Sequence, residues 1–169
     1  MEIERLHPTG PIKLHQMFYI ETLVERFGLP QGILKDKLPF EPNLHLELGP
    51  MEPDPAILFR ELVGGLLYLL RGSRPDLAYY VGYCSRFMST YAQVHIDAAM
   101  RILQYAYQTR HYGLYYDNNV EVDLEGYFHG YWPGDTLDAK CTTSYLFSLG
   151  MNISSPITWK SKKQPVATK

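Results

Sequence analysis

Three features of this sequence predict an α+β fold, with helices first and a three-stranded antiparallel sheet at the end. Apolar residues recur at helical spacing in four stretches between about His15 and Tyr107. A proline-rich connector, about 29–55, separates the first stretch from the other three. After Asn118-Asn119 the helical period gives way to alternation and short β-rich runs. That is the change in side-chain geometry that distinguishes a strand from a helix.

The first helix is expected from about His15 to Phe27, where Met17, Ile20, Leu23, Val24 and Phe27 form one stripe and Glu21, Glu25 and Arg26 lie opposite. Gly28 is a natural stop because it takes positive φ without steric penalty. The connector carries Pro30, Pro39, Pro42, Pro50, Pro53 and Pro55; each lacks an amide donor and turns its predecessor from helical angles. Asp54-Pro55 suits a second helix start, with an acceptor at the cap and proline in the first turn. That helix runs to about Arg71 on Leu58, Leu62, Leu66, Leu69 and Leu70. The pair Gly64-Gly65 interrupts its pattern and points to the close approach of another backbone, a helix before a ligand. Gly72-Ser73-Arg74-Pro75-Asp76 is a stop and a fresh start. A third helix follows on Leu77, Val81, Cys84 and Met88, and a fourth from about Ala92 to Tyr107 on Val94, Ala98, Ile102, Leu103 and Ala106. Three strands are expected at Val120–Tyr131, Cys141–Leu149 and Ile157–Lys162, joined by turns at Trp132-Pro133-Gly134-Asp135 and Gly150-Met151-Asn152.

With 169 residues, 46% of them hydrophobic, the chain can bury a substantial core. A formal charge of −2 and a pI near 6.3 argue against a nucleic-acid binder that works by bulk charge, so any such contact must be local. Cys84 and Cys141 lie far apart without CxxC spacing, which fits packing thiols in a reducing compartment better than zinc or a disulfide. No stretch approaches the roughly 20 apolar residues of a membrane span. The charged start Met1-Glu2-Ile3-Glu4-Arg5 is not a signal peptide. The expected location is intracellular, cytoplasmic or nuclear, with no secretion. His7, His15, His45, His95, His111 and His129 show no HxH or HExxH spacing for zinc.

Several blocks in order resemble the Pol polyprotein of copia-type LTR retrotransposons. These are Ile12-Lys13-Leu14-His15-Gln16 with Arg26-Phe27-Gly28; Phe59-Arg60-Glu61-Leu62-Val63-Gly64-Gly65-Leu66; Arg74-Pro75-Asp76-Leu77-Ala78-Tyr79; and Ser85-Arg86-Phe87-Met88. His95 with Arg101-Ile102-Leu103 and Gly113-Leu114 continue the likeness, and Gly126-Tyr127, Tyr145-Leu146-Phe147 and Ile157-Thr158-Trp159-Lys160-Ser161-Lys162-Lys163-Gln164 complete it. The resemblance implies residues 1–116 as the end of the reverse transcriptase, its thumb and connection. It implies 117–169 as the first three strands of a ribonuclease H-like sheet.

That family's chemistry relies on carboxylates that hold paired magnesium ions. The resemblance puts the polymerase aspartates upstream of Met1 and the later ribonuclease H ligands beyond Lys169. The two family aspartates of the first strand fall where this sequence has His129 and Tyr131. A neutral imidazole is a poor ligand for magnesium, and a phenol is uncharged at neutral pH. The expectation is a truncated, inactive remnant, a pseudoenzyme with no catalytic residue, metal site or cofactor of its own, and with poor solubility because apolar residues such as Leu146, Phe147 and Trp159 lack a cover.

Asp135 and Asp138 suit a solvated turn. Glu121, Asp123 and Glu125 alternate along the first strand as a wet face, a weak cation site being the other possibility. Lys160, Lys162 and Lys163 are candidates for phosphate contact, and Arg74 and Arg86 could touch nucleic acid or equally cap helices or pair with Asp76. The partners implied are an RNA/DNA hybrid or the element's intact polymerase, with no membrane and no small-molecule substrate. Two other readings compete: a domesticated nucleic-acid-binding or polymerase-interacting module, and a piece of a longer active RNA-directed DNA polymerase.

Overall fold

The computed structural model describes residues 1–5, 7–29, 32–34, 38–41, 44–49, 55–117, 123–131, 141–150 and 155–164. The chain forms two compact units, one of Met1–Glu2 with His15–Tyr112 and one of Ile3–Leu14 with Gly113–Lys169.

The first unit is helical. Helix α1 covers Met17–Phe27, α2 Pro55–Gly72, α3 Ala78–Ser85 and α4 Gln93–Gln108, with a single 3-10 turn at Pro75–Leu77 before α3. Each falls within a few residues of the span its apolar period predicts, and Gly28 closes α1 at φ 73° while its N–H donates to the Val24 carbonyl. The Asp54 cap lies outside the described residues. Phe59, Leu62, Val63, Leu66 and Leu69 of α2 are buried among Ile20 and Leu23 of α1, Leu77, Val81 and Cys84 of the 3-10 turn and α3, and Ile96, Ala99, Ile102 and Leu103 of α4. Two residues assigned to the stripes face outward: Leu58 and Val94 are exposed. In each first turn the inward direction is taken by neighbours, Phe59 on α2 and His95 with Ile96 on α4.

The glycine pair does not break α2. At Gly65 a methyl group would stand 2.7 Å from Leu23 Cδ2 and 3.3 Å from the Tyr19 hydroxyl, whereas at Gly64 it would meet nothing within 4 Å. One glycine therefore admits helix α1, as expected, and the other faces open space.

Arg74 ties the end of this unit together from inside. Its guanidinium is 1% exposed and donates to both Asp76 carboxylate oxygens, at 2.9 Å from Nε and 2.7 Å from Nη2. Nη2 also donates to Thr109 Oγ1 at 2.7 Å, and Nη1 to the Ala106 and Thr109 carbonyls at 3.4 Å. The last turn of α4 is thus fastened to the start of α3 by a planar fork that lysine cannot reproduce. At the other end of α4, the Ala92 N–H donates to His95 Nδ1 at 2.9 Å while the His95 N–H donates to the Ala92 carbonyl.

The second unit is built of strands. The expected meander is present, with β4 (Leu124–Tyr131), β5 (Thr142–Leu149) and β6 (Pro156–Lys163) in antiparallel order β4-β5-β6. The strand pairing shifts register between Phe147 and Ser148, where it passes from Thr158 to Pro156. A second three-stranded sheet, absent from the sequence expectation, joins β1 (Glu2–Arg5), β2 (Ile12–His15) and β3 (Leu114–Tyr116) in that order. Strands of three or four residues carry too little alternation to register, and the pairing of Ile12 with Tyr116 spans most of the chain. Both cysteines are buried thiols.

Candidate functional site

In a strand, residues two apart share a face, so 129 and 131 stand on one side of β4. The strand register puts Glu125 and Tyr127 on that side too, with Ser144 and Leu146 of β5 and Trp159 and Ser161 of β6. His129 is exposed and lies opposite Ser144, and the Ser144 hydroxyl donates to Ser161 Oγ at 3.0 Å. Tyr131 is described by its backbone alone. Glu125, the carboxylate of this face among the described residues, is four positions from His129, about 13 Å along a strand. It already accepts the Tyr127 hydroxyl at 2.6 Å, a bond that raises the tyrosine pKa.

Asp123 precedes the strand, where its Oδ1 accepts the Leu124 N–H at 2.9 Å. Asp123 is exposed and its carbonyl accepts the Gly150 N–H at 2.7 Å; Glu121, Asp135 and Asp138 lie outside the described residues. Among the described residues no group of three or more histidine, cysteine, aspartate or glutamate side chains could hold a metal ion.

The basic candidates separate by depth. Arg74 is inside the helical unit on Asp76, the pairing weighed for it in the sequence. Arg86 is half-buried, its guanidinium 5.0 Å from the centre of the Tyr83 ring and 5.8 Å from that of Phe87. Lys160 and Lys162 are exposed on one face of β6, and Lys163 is half-buried on the other.

Opposite the His129 side lies a second face that sequence reasoning did not single out. Phe128, Tyr145 and Lys160 form one row straight across the three strands, and Gly130, Thr143 and Lys162 form the next. Phe128 keeps 71% of its surface exposed, while Phe147, half-buried, meets its ring edge-on at 5.4 Å. The alternation of each strand was visible in the sequence; the register that aligns them was not.

No family model matches the chain, and no solved structure matches it significantly. It is similar to the Retrovirus-related Pol polyprotein from transposon RE1 of Arabidopsis thaliana, 35% identical over 93% of this chain and 10% of that protein. The Retrovirus-related Pol polyprotein from transposon RE2 of the same plant is 37% identical over 73% of this chain and 8% of its own length. The Secreted RxLR effector protein 161 of Plasmopara viticola is 38% identical over 60% of this chain and 70% of that protein. These relatives place the chain in the retrotransposon Pol class. This chain is a retrotransposon-derived Pol polyprotein region, and it spans about a tenth of the length of the Pol relatives it matches. Among its described residues no helix is long and apolar enough to cross a membrane.

Proposed function

We propose that the chain is a non-catalytic Pol segment: the thumb and connection end of a copia-type reverse transcriptase, followed by the first strands of a ribonuclease H-like sheet in which the metal-binding positions have been lost. The observation that carries this is the face around position 129. Two-metal hydrolysis needs several carboxylates converging within a few ångströms, and among the described residues Tyr127, Ser144 and Ser161 share the face of His129, with Glu125 too distant to share an ion. The segment acts as scaffold, held by the core around α2, inside the cell and without a cofactor of its own. A labelled RNA/DNA hybrid incubated with the purified chain and magnesium or manganese should remain intact. Cleavage that stops on chelation would refute the reading.

A second reading, a free-standing binding module, is favoured by one observation: the match to the RxLR effector protein covers most of that relative, so related segments occur apart from a full polyprotein. Co-purification with full-length element polymerase, or salt-sensitive affinity for the hybrid duplex, supports it. A third, a piece of a longer active polymerase, is decided by whether the flanking nucleotide sequence reads in frame into polymerase and ribonuclease H active-site motifs.

A further inference from the structure

The face of the β4–β6 sheet opposite His129 combines three things that seldom coincide on an idle surface. Its cross-strand row Phe128, Tyr145, Lys160 sets two aromatic rings beside a cation. The neighbouring row on one side ends in Lys162, and the row on the other brings in Phe147 and Thr158. Among the described residues this face carries no aspartate or glutamate, although the chain is net acidic, and neither Lys160 nor Lys162 forms an ion pair with another described residue.

The aromatic surface needs a bare floor. A methyl group on Gly126 would come within 2.9 Å of the Phe147 ring and 3.1 Å of the Phe128 ring, so the absent side chain leaves room for both rings, which meet edge-on with 86° between their planes, and the exposed Phe128 ring is the one open to a base. Gly130, exposed like Gly126, leaves the floor open next to Thr143 and Lys162. Phe128 at 71% exposure, Leu124 at 60% and Leu149 at 36% make the surrounding surface apolar.

We infer that this face is a stacking platform for single-stranded RNA, a role beyond the scaffold reading above. Unpaired bases have the flat π surface that exposed aromatics on a sheet accept, at about 1–3 kcal/mol per base, while lysines beside the rings meet the phosphates. A duplex offers its bases only as edges, and its rigid backbone cannot lay them across adjacent strands. The choice of RNA over DNA rests on hydroxyls at the same rows. Thr158 is exposed, and Thr143 Oγ1, which accepts the Gln164 amide at 2.7 Å, retains its own proton to donate to a ribose 2′-hydroxyl.

The test is fluorescence anisotropy of the full chain with a short labelled oligouridine, the DNA of equal length, and an RNA/DNA hybrid, each titrated across a range of salt. The RNA strand should bind tightest. Phe128→Ala should weaken it about tenfold, and Phe128→Tyr, which keeps the ring, should restore it; because Phe128 is so exposed, neither change threatens the fold. Lys160→Gln with Lys162→Gln should make the salt dependence shallower by roughly 1.4 in log–log slope, two single-strand phosphate contacts. Equal or tighter binding of the hybrid or of DNA, indifference to Phe128→Ala, absence of binding at low salt, or a dimer that buries Phe128 would each overturn the assignment. Hydrolysis of the hybrid would defeat the scaffold reading and leave this one standing.

Discussion

In the helical unit the five inward positions of α2, Phe59, Leu62, Val63, Leu66 and Leu69, are each 0–1% exposed, whereas on the β4–β5–β6 sheet Phe128, Leu124 and Ile157 remain largely in water. The helical unit also keeps its strongest polar network inside, around Arg74, while Lys160 and Lys162 of the sheet are exposed. Core and surface are thus distributed by region: α2 lies in a closed core, while the β4–β5–β6 sheet keeps large apolar side chains in water.

The comparison breaks or sharpens first on truncation of side chains. Leu66→Ala in α2 should cost about 2–5 kcal/mol, the transfer term plus the cavity, while Phe128→Ala should change stability by no more than about 0.5 kcal/mol; urea unfolding of both reads the difference. Similar losses would mean that the sheet face is packed. Next comes Arg74→Lys, which keeps the charge and removes the fork to Asp76 and Thr109, and should lower stability by about 1.5–3 kcal/mol in the same assay. The glycine pair then gives effects of opposite sign. Gly65→Ala should destabilise by about 1 kcal/mol because the buried Leu23 must move, and Gly64→Ala should stabilise by about 0.5–1 kcal/mol in the open helix surface.

A further effect is one of pH. Burial pushes the Cys84 thiol up from 9.0 to about 12, and burial together with the nearby Asp76 carboxylate does the same to Tyr105, from 10.0 to about 12. Above pH 9 the unfolded chain sheds these protons while the folded chain keeps them, so stability is whole below pH 9 and declines as pH climbs toward 12. A thiol reagent at pH 8 should accordingly leave Cys84 unmodified until denaturant is added. Rapid labelling of the folded chain, followed by peptide mapping to Cys84, would show that the core opens.

Much of this architecture is written locally and is legible for that reason. Helical period alone located α1 to α4, since Ile20, Leu23, Leu62, Leu66, Ala98 and Ile102 need only their own neighbours to define a buried stripe. The strands β4, β5 and β6 were legible from alternation, while the turns expected at Trp132-Pro133-Gly134-Asp135 and at Met151-Asn152 lie outside the described residues. What escaped was non-local: the short sheet of β1, β2 and β3, closed between Ile12 and Tyr116, and the row Phe128, Tyr145, Lys160, whose members sit 15 to 17 residues apart. Arg74 was left open between two readings, one of which, the pairing with Asp76, the structure bears out. An arginine in a charged motif looks the same in sequence whether its fork meets a phosphate or an aspartate two residues away, and only depth separates the two.

The irregularity between Phe147 and Ser148 works as a ratchet against slippage. With one residue of β6, Ile157, accommodated out of step, sliding that strand by a single position would turn Lys160 and Lys162 to the Trp159 side and bring Trp159 and Ser161 next to Phe128. A one-residue insertion or deletion inside the strand would therefore exchange the sheet's two surfaces at a stroke.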